Sequence, residues 1–490
     1  MKKRHLISFI LIMLFHLVIS QQVIVSDHLT ADFHAQRRTA LREKMPTNSV
    51  ALFFANPIRN RANDVDYIYH QDPNLYYLTG HNEPHALLLI FKEGQVLTDH
   101  EVSEVLFTRG HDALKELYNG PRMGVEGAKS KLGIQLVYEG TVFEDFNLDF
   151  STFDKVLFYD FKNDVLDTQE QGDLFDLMSW TQSKIGYQQD LMMIEPIQNN
   201  IDVKALDVII KDMRGIKEVE EITLIKKAVD ISTIAQAEVM KAMRPGMSES
   251  EIQGLHEYIF KRYQAEFEGY PSIVGAGHNG CVLHYIENNK SSLIDGELIL
   301  MDLAAEYHGY TADITRTIPV NGTFSTDQRR IYDLVYEAQE AAAQLCKAGL
   351  KFSELYDATA VVINNGLHNL GIYKGTQPDD IVNPETGRNR YYPHGCCHHI
   401  GLDVHDKGNY NLLEENMVIT IEPGIYIPKD SPSDPRWWDL AVRIEDDYLV
   451  TAEGCQLLSD KAPRKASDIE ALMKIKSPLD DFILPSLEGN

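Results

Sequence analysis

An α/β domain followed by an α+β domain is the architecture this sequence predicts, and three observations carry it. At 490 residues the chain is long for one hydrophobic core, which favours two domains. From about Ser26 to Asn200 short apolar runs alternate with segments of helical period, the pattern of an α/β layer structure. From Val203 onward the order becomes a helix pair, strands, a helix and strands again. The expected boundaries are a leader over 1–20, an N-terminal domain over 21–202, an α+β domain over 203–462 and a C-terminal helix and tail over 463–490.

The leader comes first. "MKKRH" is basic, and "LISFILIMLFHLVIS" is an apolar run closed by Val18-Ile19-Ser20. That is the layout of a signal peptide cut before Gln21. The run is short for a membrane span of about 20 residues, and His16 interrupts it. The expectation is export to the periplasm or the medium, with no stable membrane insertion after cleavage. No cysteine follows the cut, which argues against a lipid anchor.

In the N-terminal domain "VALFFA" (Val50 to Ala55), "HALLLIF" (His85 to Phe91) and "KVLFYDF" (Lys155 to Phe161) read as buried strands. Phe33 to Met45 and Asp173 to Trp180 read as helices. This N-terminal domain holds neither GxGxxG nor a P-loop, so no nucleotide site is expected in it. In the second domain Glu218 to Met243 is a long amphipathic helix stopped by Pro245-Gly246. Ser248 with Glu251, Ser325 with Gln328 and Ser467 with Glu470 are capping-box pairs for the helices that follow. The Ser325 helix is expected to reach about Gly349. Ile273 to Val320 and Tyr392 to Thr451 are β-rich, and the tail beyond Ser477 is expected to be mobile.

Net charge is −27, from 73 acidic and 46 basic residues, and losing Lys2, Lys3 and Arg4 with the leader would make it −30. Such a surface disfavours nucleic acid and anionic membranes as partners. Five cysteines, with Cys396 and Cys397 adjacent and no CxxC, fit neither a disulfide scaffold nor a thiolate zinc site.

The chemistry sits in apolar stretches that carry acids. "DLAAEYHGYTADITRT" (Asp302 to Thr317) reads as a hairpin turning at His308-Gly309. Tyr307 then faces Tyr310, Asp302 faces Thr315 and Ala304 faces Asp313. In this register both aspartates share one face. Two solvated acids on a hairpin would explain this, and so would a divalent cation held between them. A one-residue slip would send them to opposite faces. Other polar residues stand out in the same way. His394, His398, His399 and His405 lie in "YYPHGCCHHIGLDVHD", Glu422 closes an apolar run before a Pro-Gly turn, and His284 lies mid-strand. Arg443 and Glu445 are two apart on one strand and therefore on one face. Four carboxylates and several imidazoles suit two hard or borderline divalent metals.

The order D-x10-D, HGxxHxxGLDVHD, EPGxY, RxED resembles the M24 metallopeptidase family, in its aminopeptidase P and prolidase branch, with the pita-bread fold. "SIVGAGHNGCVLHY" and "GYTADITRTIPVNG" are similar to that branch, and "RANDVDYIYHQDPNLYYLTG" to the N-terminal domain of bacterial-type aminopeptidase P. The resemblance implies Asp302, Asp313, His398, Glu422 and Glu445 as ligands of two divalent ions, most simply manganese. Asp313 and Glu445 would touch both. A hydroxide between the ions would be the nucleophile, because two cations depress the pKa of water. It further implies His284 and His405 beside the scissile carbonyl, His394 near the proline subsite, Glu422 as proton shuttle, and Tyr426 and Arg443 as residues that orient them. His399 has no such counterpart and reads as local structure. The resemblance also aligns "ELYNGPRMG" with a family stretch that carries a tryptophan beside the active site, which implies that place for Tyr118. The implied substrates are peptides with proline second, and the implied assembly is a homo-oligomer. Rival readings are an Xaa-Pro dipeptidase (prolidase), a non-catalytic peptide-binding module and a metal-free creatinase-like hydrolase. The last two are disfavoured because all five ligands are kept.

Overall fold

The computed structural model describes residues 27–97, 99–187, 200–373 and 388–481. The expected leader and the tail from 482 onward lie outside the described residues. Among the described residues no helix is long and apolar enough to cross a membrane.

The N-terminal domain is a six-stranded mixed sheet. In chain order its strands are β1 (Ser49–Phe54), β2 (Leu87–Leu97), β3 (His100–Thr108), β4 (Leu136–Glu139), β5 (Lys155–Phe158) and β6 (Ile201–Asp202), arranged β4-β3-β2-β1-β5-β6. The apolar runs are continuous because both faces are covered. Val50, Leu52, Leu87 and Leu89 face one core, with α2 (Leu174–Ile185) packed on that side. Ala51, Phe53, Leu88 and Ile90 face the other, which is continuous with the core of the catalytic domain. The helix α1 (Ala31–Lys44) begins where the Thr30 hydroxyl accepts the Phe33 N–H. A helix over Ala205–Gly215 packs back on α1 and β5.

The catalytic domain is built from two similar halves. In the first, α3 (Val219–Ala242) and α4 (Glu249–Arg262) precede β7 (Phe267–Glu268), β8 (Ile273–Ala276), β9 (Leu298–Asp302), β10 (Ala305–Tyr307), β11 (Tyr310–Thr311) and β12 (Thr315–Pro319). The second half comprises α5 (Thr326–Leu345), α6 (Phe352–Asn369), β13 (Val418–Ile421), β14 (Gly424–Ile427), β15 (Leu440–Arg443), β16 (Asp446–Val450) and β17 (Cys455–Leu457), followed by α7 (Ala466–Leu472).

In each half an antiparallel ribbon is broken midway, so that its two ends join different small sheets. β9 pairs with β12, whereas their continuations β10 and β11 pair with each other. Likewise β13 pairs with β16, and β14 with β15. A buried glutamine braces each break. The Gln236 amide on α3 donates to the carbonyls of Met301 (3.3 Å) and Ile314 (3.2 Å). The Gln339 amide on α5 donates to those of Ile421 (3.0 Å) and Ile444 (3.3 Å). Asp302, Asp313, Glu422 and Glu445 each stand next in sequence to one of those four carbonyls. The breaks thus satisfy their freed backbone groups through helices behind the sheets and turn the carboxylates forward.

The hairpin register holds as read: Tyr307 faces Tyr310 and Asp302 faces Thr315. The turn uses positive φ at His308 (51°) and Gly309 (84°), as a two-residue turn of this kind requires. The Ser325–Gln328 capping box forms in both directions, but α5 ends at Leu345, short of Gly349.

Several expectations are corrected. At Ser248 only half of the box forms: its hydroxyl accepts the Glu251 N–H. α7 begins at Ala466, so Ser467 lies inside the helix and not at its cap. There Glu470 accepts the Phe324 N–H instead. Between Tyr392 and Met417 the chain is mostly irregular, with regular strand only from Val418. The sequence reading also passed over α6. Its Val361-Val362-Ile363 run and Asn364-Asn365-Gly366 step weaken local helix propensity. Packing on α5 overrides that weakness. A Cβ on Gly366 would stand 2.2 Å from a Leu334 methyl, so glycine there permits the close approach of α5 and α6.

Candidate metal centre and active site

The two strand breaks face each other across the domain and bring their acids together. The Tyr270 hydroxyl lies 2.7 Å from Asp302 Oδ1 and 2.6 Å from Asp313 Oδ1, so both aspartates point to one side of their hairpin. His398 Nε2 lies 3.4 Å from Asp313, 3.7 Å from Glu422 and 3.9 Å from Glu445. Ligand atoms of Asp313, His398 and Glu445 all fall within 4.8 Å of one another. Nine of the ten sequence-predicted site residues line one cavity of about 300 Å³; Tyr426 stands behind it.

Hydrogen bonds fix the tautomers. The Nδ1 of His398 is 3.0 Å from the His399 carbonyl. It must donate there, which leaves Nε2 facing the carboxylates as the ligating nitrogen. His394 donates from Nδ1 to the Gly395 carbonyl (2.7 Å), so its Nε2 accepts from Tyr426 (2.9 Å). Arg443 donates to the same Tyr426 oxygen (2.8 Å) and to Thr315 Oγ1 (3.1 Å), and forms a buried ion pair with Asp302. Burial, then Arg443, pushes the His394 pKa down to about 3, so it is neutral near pH 7.

The donor set fits divalent metal. Burial pushes the Glu422 carboxyl up to about 7, and burial with the neighbouring acids raises Asp302 and Glu445. Burial pulls His398 down, but Asp313 and Glu422 outweigh it and bring it up to about 9. Four carboxylates converging in the interior repel one another unless positive charge joins them. Oxygen donors with one imidazole suit hard or borderline divalent ions. Metal must displace protons from His398 and Glu422, because both pKa values are raised and both groups are protonated below them. Affinity is therefore expected to rise with pH, about tenfold per unit between pH 7 and 9 from His398 alone. Below pH 7 the slope should approach two protons. Isothermal titration with Mn²⁺ across this range checks it, and a flat affinity would contradict it.

Two neighbouring structures position the histidines that are not ligands. Glu249, buried in the first turn of α4, accepts from the N–H groups of Ala276 and Lys290 (2.8 Å each) and from Tyr285 (2.9 Å). It fastens the loop that presents His284. That residue lies in this exposed turn and not mid-strand as the sequence suggested, because its stretch has no strand partner among the described residues. His405 stands edge-on to His398, with ring centroids 4.5 Å apart. Its loop is held by Asp403 and Asp406, which pair with Arg214 and, for Asp406, with Lys217 (2.8 Å). At Gly401 a Cβ would lie 2.1 Å from Asp406 Oδ2, so only glycine lets this clamp close.

The chain was compared with known proteins. Residues 34–152 match the aminopeptidase P N-terminal domain and residues 223–452 the metallopeptidase family M24. It is 35% identical to the Xaa-Pro aminopeptidase of Escherichia coli over 453 residues, 89% of this chain and 96% of that one. The chain belongs to metallopeptidase family M24. The Haemophilus influenzae Xaa-Pro aminopeptidase is 37% identical, over 89% and 96% of the two chains. The structure of E. coli aminopeptidase P with the inhibitor Pro-Leu aligns at a TM-score of 0.80 with 33% identity, covering 91% of this chain and 98% of that one. A zinc-substituted form with product aligns at 0.78, with 33% identity and the same coverage. The pita-bread expectation is thereby met, and Asp302, Asp313, His398, Glu422 and Glu445 line one cavity.

Three local readings change. Pro423-Gly424 is not a turn: the ribbon runs straight on from β13 into β14, and Glu422 stands at the break between them. Arg443 ends β15 and Glu445 sits in the gap before β16, although both reach the same side, with Nε to Oε2 at 4.0 Å. Tyr118 is 78% exposed on a short N-terminal-domain helix and does not line the cavity. His399, read as local structure, is buried, and its Nε2 lies 3.1 Å from the Asn409 carbonyl.

Two contributors escaped the sequence reading. Tyr270 lies in an irregular "EGYPS" stretch that has no period to betray it. Thr315 donates to Glu445 Oε2 (2.6 Å); its place opposite Asp302 in the hairpin register was the available signal.

Proposed function

We propose that this M24 enzyme is an Xaa-Pro aminopeptidase, which hydrolyses the bond between the first residue of a peptide and a proline in second position. The observation that carries this reading is the convergence of all five ligands with His284, His394 and His405 in one cavity. Likeness to Xaa-Pro aminopeptidases through both domains supports it over prolidase. When bound, two divalent cations, which we infer to be Mn²⁺, supply Lewis acidity and lower the pKa of water toward neutrality. Asp302, Asp313, His398, Glu422 and Glu445 would hold them.

The chain's own groups do the rest. Glu422, a cavity carboxylate 3.7 Å from His398 Nε2, takes a proton from the attacking water. It delivers that proton to the leaving proline nitrogen. The bond is a tertiary amide without N–H, so recognition cannot use strand-like pairing at that nitrogen and falls to a ring pocket, here beside His394. Burial and the charge on His398 lower the His405 pKa. It is a neutral donor that, with His284, can hydrogen-bond the carbonyl oxygen as negative charge develops. Arg443 and Tyr426 fix Asp302 and His394.

A length series on the manganese-loaded protein tests the activity. Xaa-Pro-Yaa and longer peptides are expected to release their first residue, and Xaa-Ala-Yaa to be nearly inert. Turnover confined to Xaa-Pro dipeptides would make the enzyme a prolidase. We further propose export with cleavage after Ser20, supported by the basic start and short apolar run, and self-association. Protein recovered from its host is expected to begin at Gln21; recovery from the cytoplasm with Met1 in place would overturn export.

A further inference from the structure

A second cluster of metal-binding groups lies outside the catalytic cavity, where the first described residues meet the tip of the β10–β11 hairpin. Ligand atoms of His28, Glu266 and His308 all lie within 4.8 Å of one another. The His28 and His308 rings stack, with centroids 3.6 Å apart and planes 24° apart. His308 is approached by carboxylates at both nitrogens: Glu266 Oε1 stands 2.6 Å from Nδ1 and Asp27 Oδ1 stands 2.8 Å from Nε2. These acids are already oriented. The second oxygen of Glu266 accepts the His308 N–H (2.8 Å), and that of Asp27 accepts from Tyr307 (2.8 Å).

We propose that His28, Glu266 and His308 Nδ1 form a third divalent metal site of the zinc class, with Asp27 holding the other nitrogen of His308, and that this site pins the segment before α1 to the catalytic hairpin. Two imidazoles and one carboxylate, with water in the fourth position, are a common donor set for a four-coordinate borderline ion. Ligand bonds of about 2.0–2.2 Å place donor atoms roughly 3.3 Å apart in a tetrahedron. The existing separations thus require the exposed His28 and Glu266 side chains to draw in by little more than an ångström, and the exposed His28 ring to turn out of its stack so that its nitrogen points at the ion. The donor set also differs from that of the catalytic cluster, where one imidazole stands among four carboxylates.

Electrostatics allow the exchange. Two stacked imidazoles cannot both carry charge at low cost. Burial and the neighbouring His308 lower the His28 pKa, whereas Glu266 and Asp27 raise that of His308 against the effect of burial. His28 is then a neutral base ready to ligate. On a protonated His308 each nitrogen points at one carboxylate, Nδ1 at Glu266 and Nε2 at Asp27; a cation would replace the proton on Nδ1, while Asp27 keeps accepting the one on Nε2. The joined elements matter as much as the donors. Residues 27 and 28 precede the N-terminal domain, Glu266 leads into β7, and His308 forms the turn whose ribbon ends in Asp302 and Asp313.

The test uses the full-length protein equilibrated with Zn²⁺ and then dialysed. Wild type is expected to hold one equivalent more than either H28A or H308N. Asparagine at 308 keeps the positive φ of the turn, and neither substitution touches a catalytic ligand. In zinc titrations the variants should lose at least tenfold in affinity for that equivalent. Thermal unfolding should show zinc raising the wild-type midpoint by several degrees more than that of H28A. If wild type and both variants bind the same number of zinc ions with the same affinity, the cluster is only an ion pair around a protonated His308, and the proposal is wrong.

Discussion

Asp313→Ala is expected to lose bound metal and turnover together. Asp313 lies 3.4 Å from His398 Nε2 and shares the Tyr270 hydroxyl with Asp302, and the sequence resemblance implies that it touches both metals. Removing it leaves the remaining donors without their common member. The ions contribute several kcal/mol of transition-state stabilisation, so kcat/KM should fall by roughly 10³-fold or more. Elemental analysis of dialysed protein beside a tripeptide assay checks both halves. Circular dichroism of the metal-free variant beside metal-free wild type is expected to show the same fold, although the buried His398–Asp313 pair is lost. That separates loss of the site from loss of the fold. A variant that keeps two metals per chain would refute the ligand assignment.

His405→Ala should behave differently. His405 touches the His398 ring and lines the cavity, but its loop is held from behind by the Arg214–Asp406 and Lys217–Asp406 pairs and not by the carboxylates. Metal content is therefore expected to be unchanged, while kcat/KM falls by about 10²–10³-fold, the cost of losing one donor to a developing oxyanion. The loss should fall on kcat more than on KM, because the bond strengthens as charge develops. If His405→Ala sheds its metals as Asp313→Ala does, the division between ligands and substrate-facing residues is mistaken.

Much of this was legible in the sequence because the signals were local. A carboxylate in an apolar strand must be satisfied somehow, and period 2 says which face it takes. The Asp302/Thr315 register followed from a two-residue turn at His308-Gly309, and the structure keeps it. Helix α3 and the cap at Ser325 were equally local. Where the reading failed, a neighbour distant in sequence decided. Helix α6 forms against its own weak propensity because Gly366 lets it lie close on Leu334 of α5. His284 left its expected strand because Glu249 holds the ends of its loop.

The sequence by itself determined the two-domain order, the identities of the acids and histidines, and the faces of the first hairpin, because spacing along one chain fixes side-chain direction over a few residues. Only the tertiary structure decided that Asp302 and Asp313 meet Glu422 and Glu445. These pairs are more than 100 residues apart, and they converge because two broken ribbons face each other, each braced by a glutamine from its own helix. It also decided that Tyr270 and Thr315 join the site and that Glu422 titrates near 7. Burial raises that value, His398 and Arg443 draw it back and the neighbouring acids push it up, and none of these acts until the chain has folded.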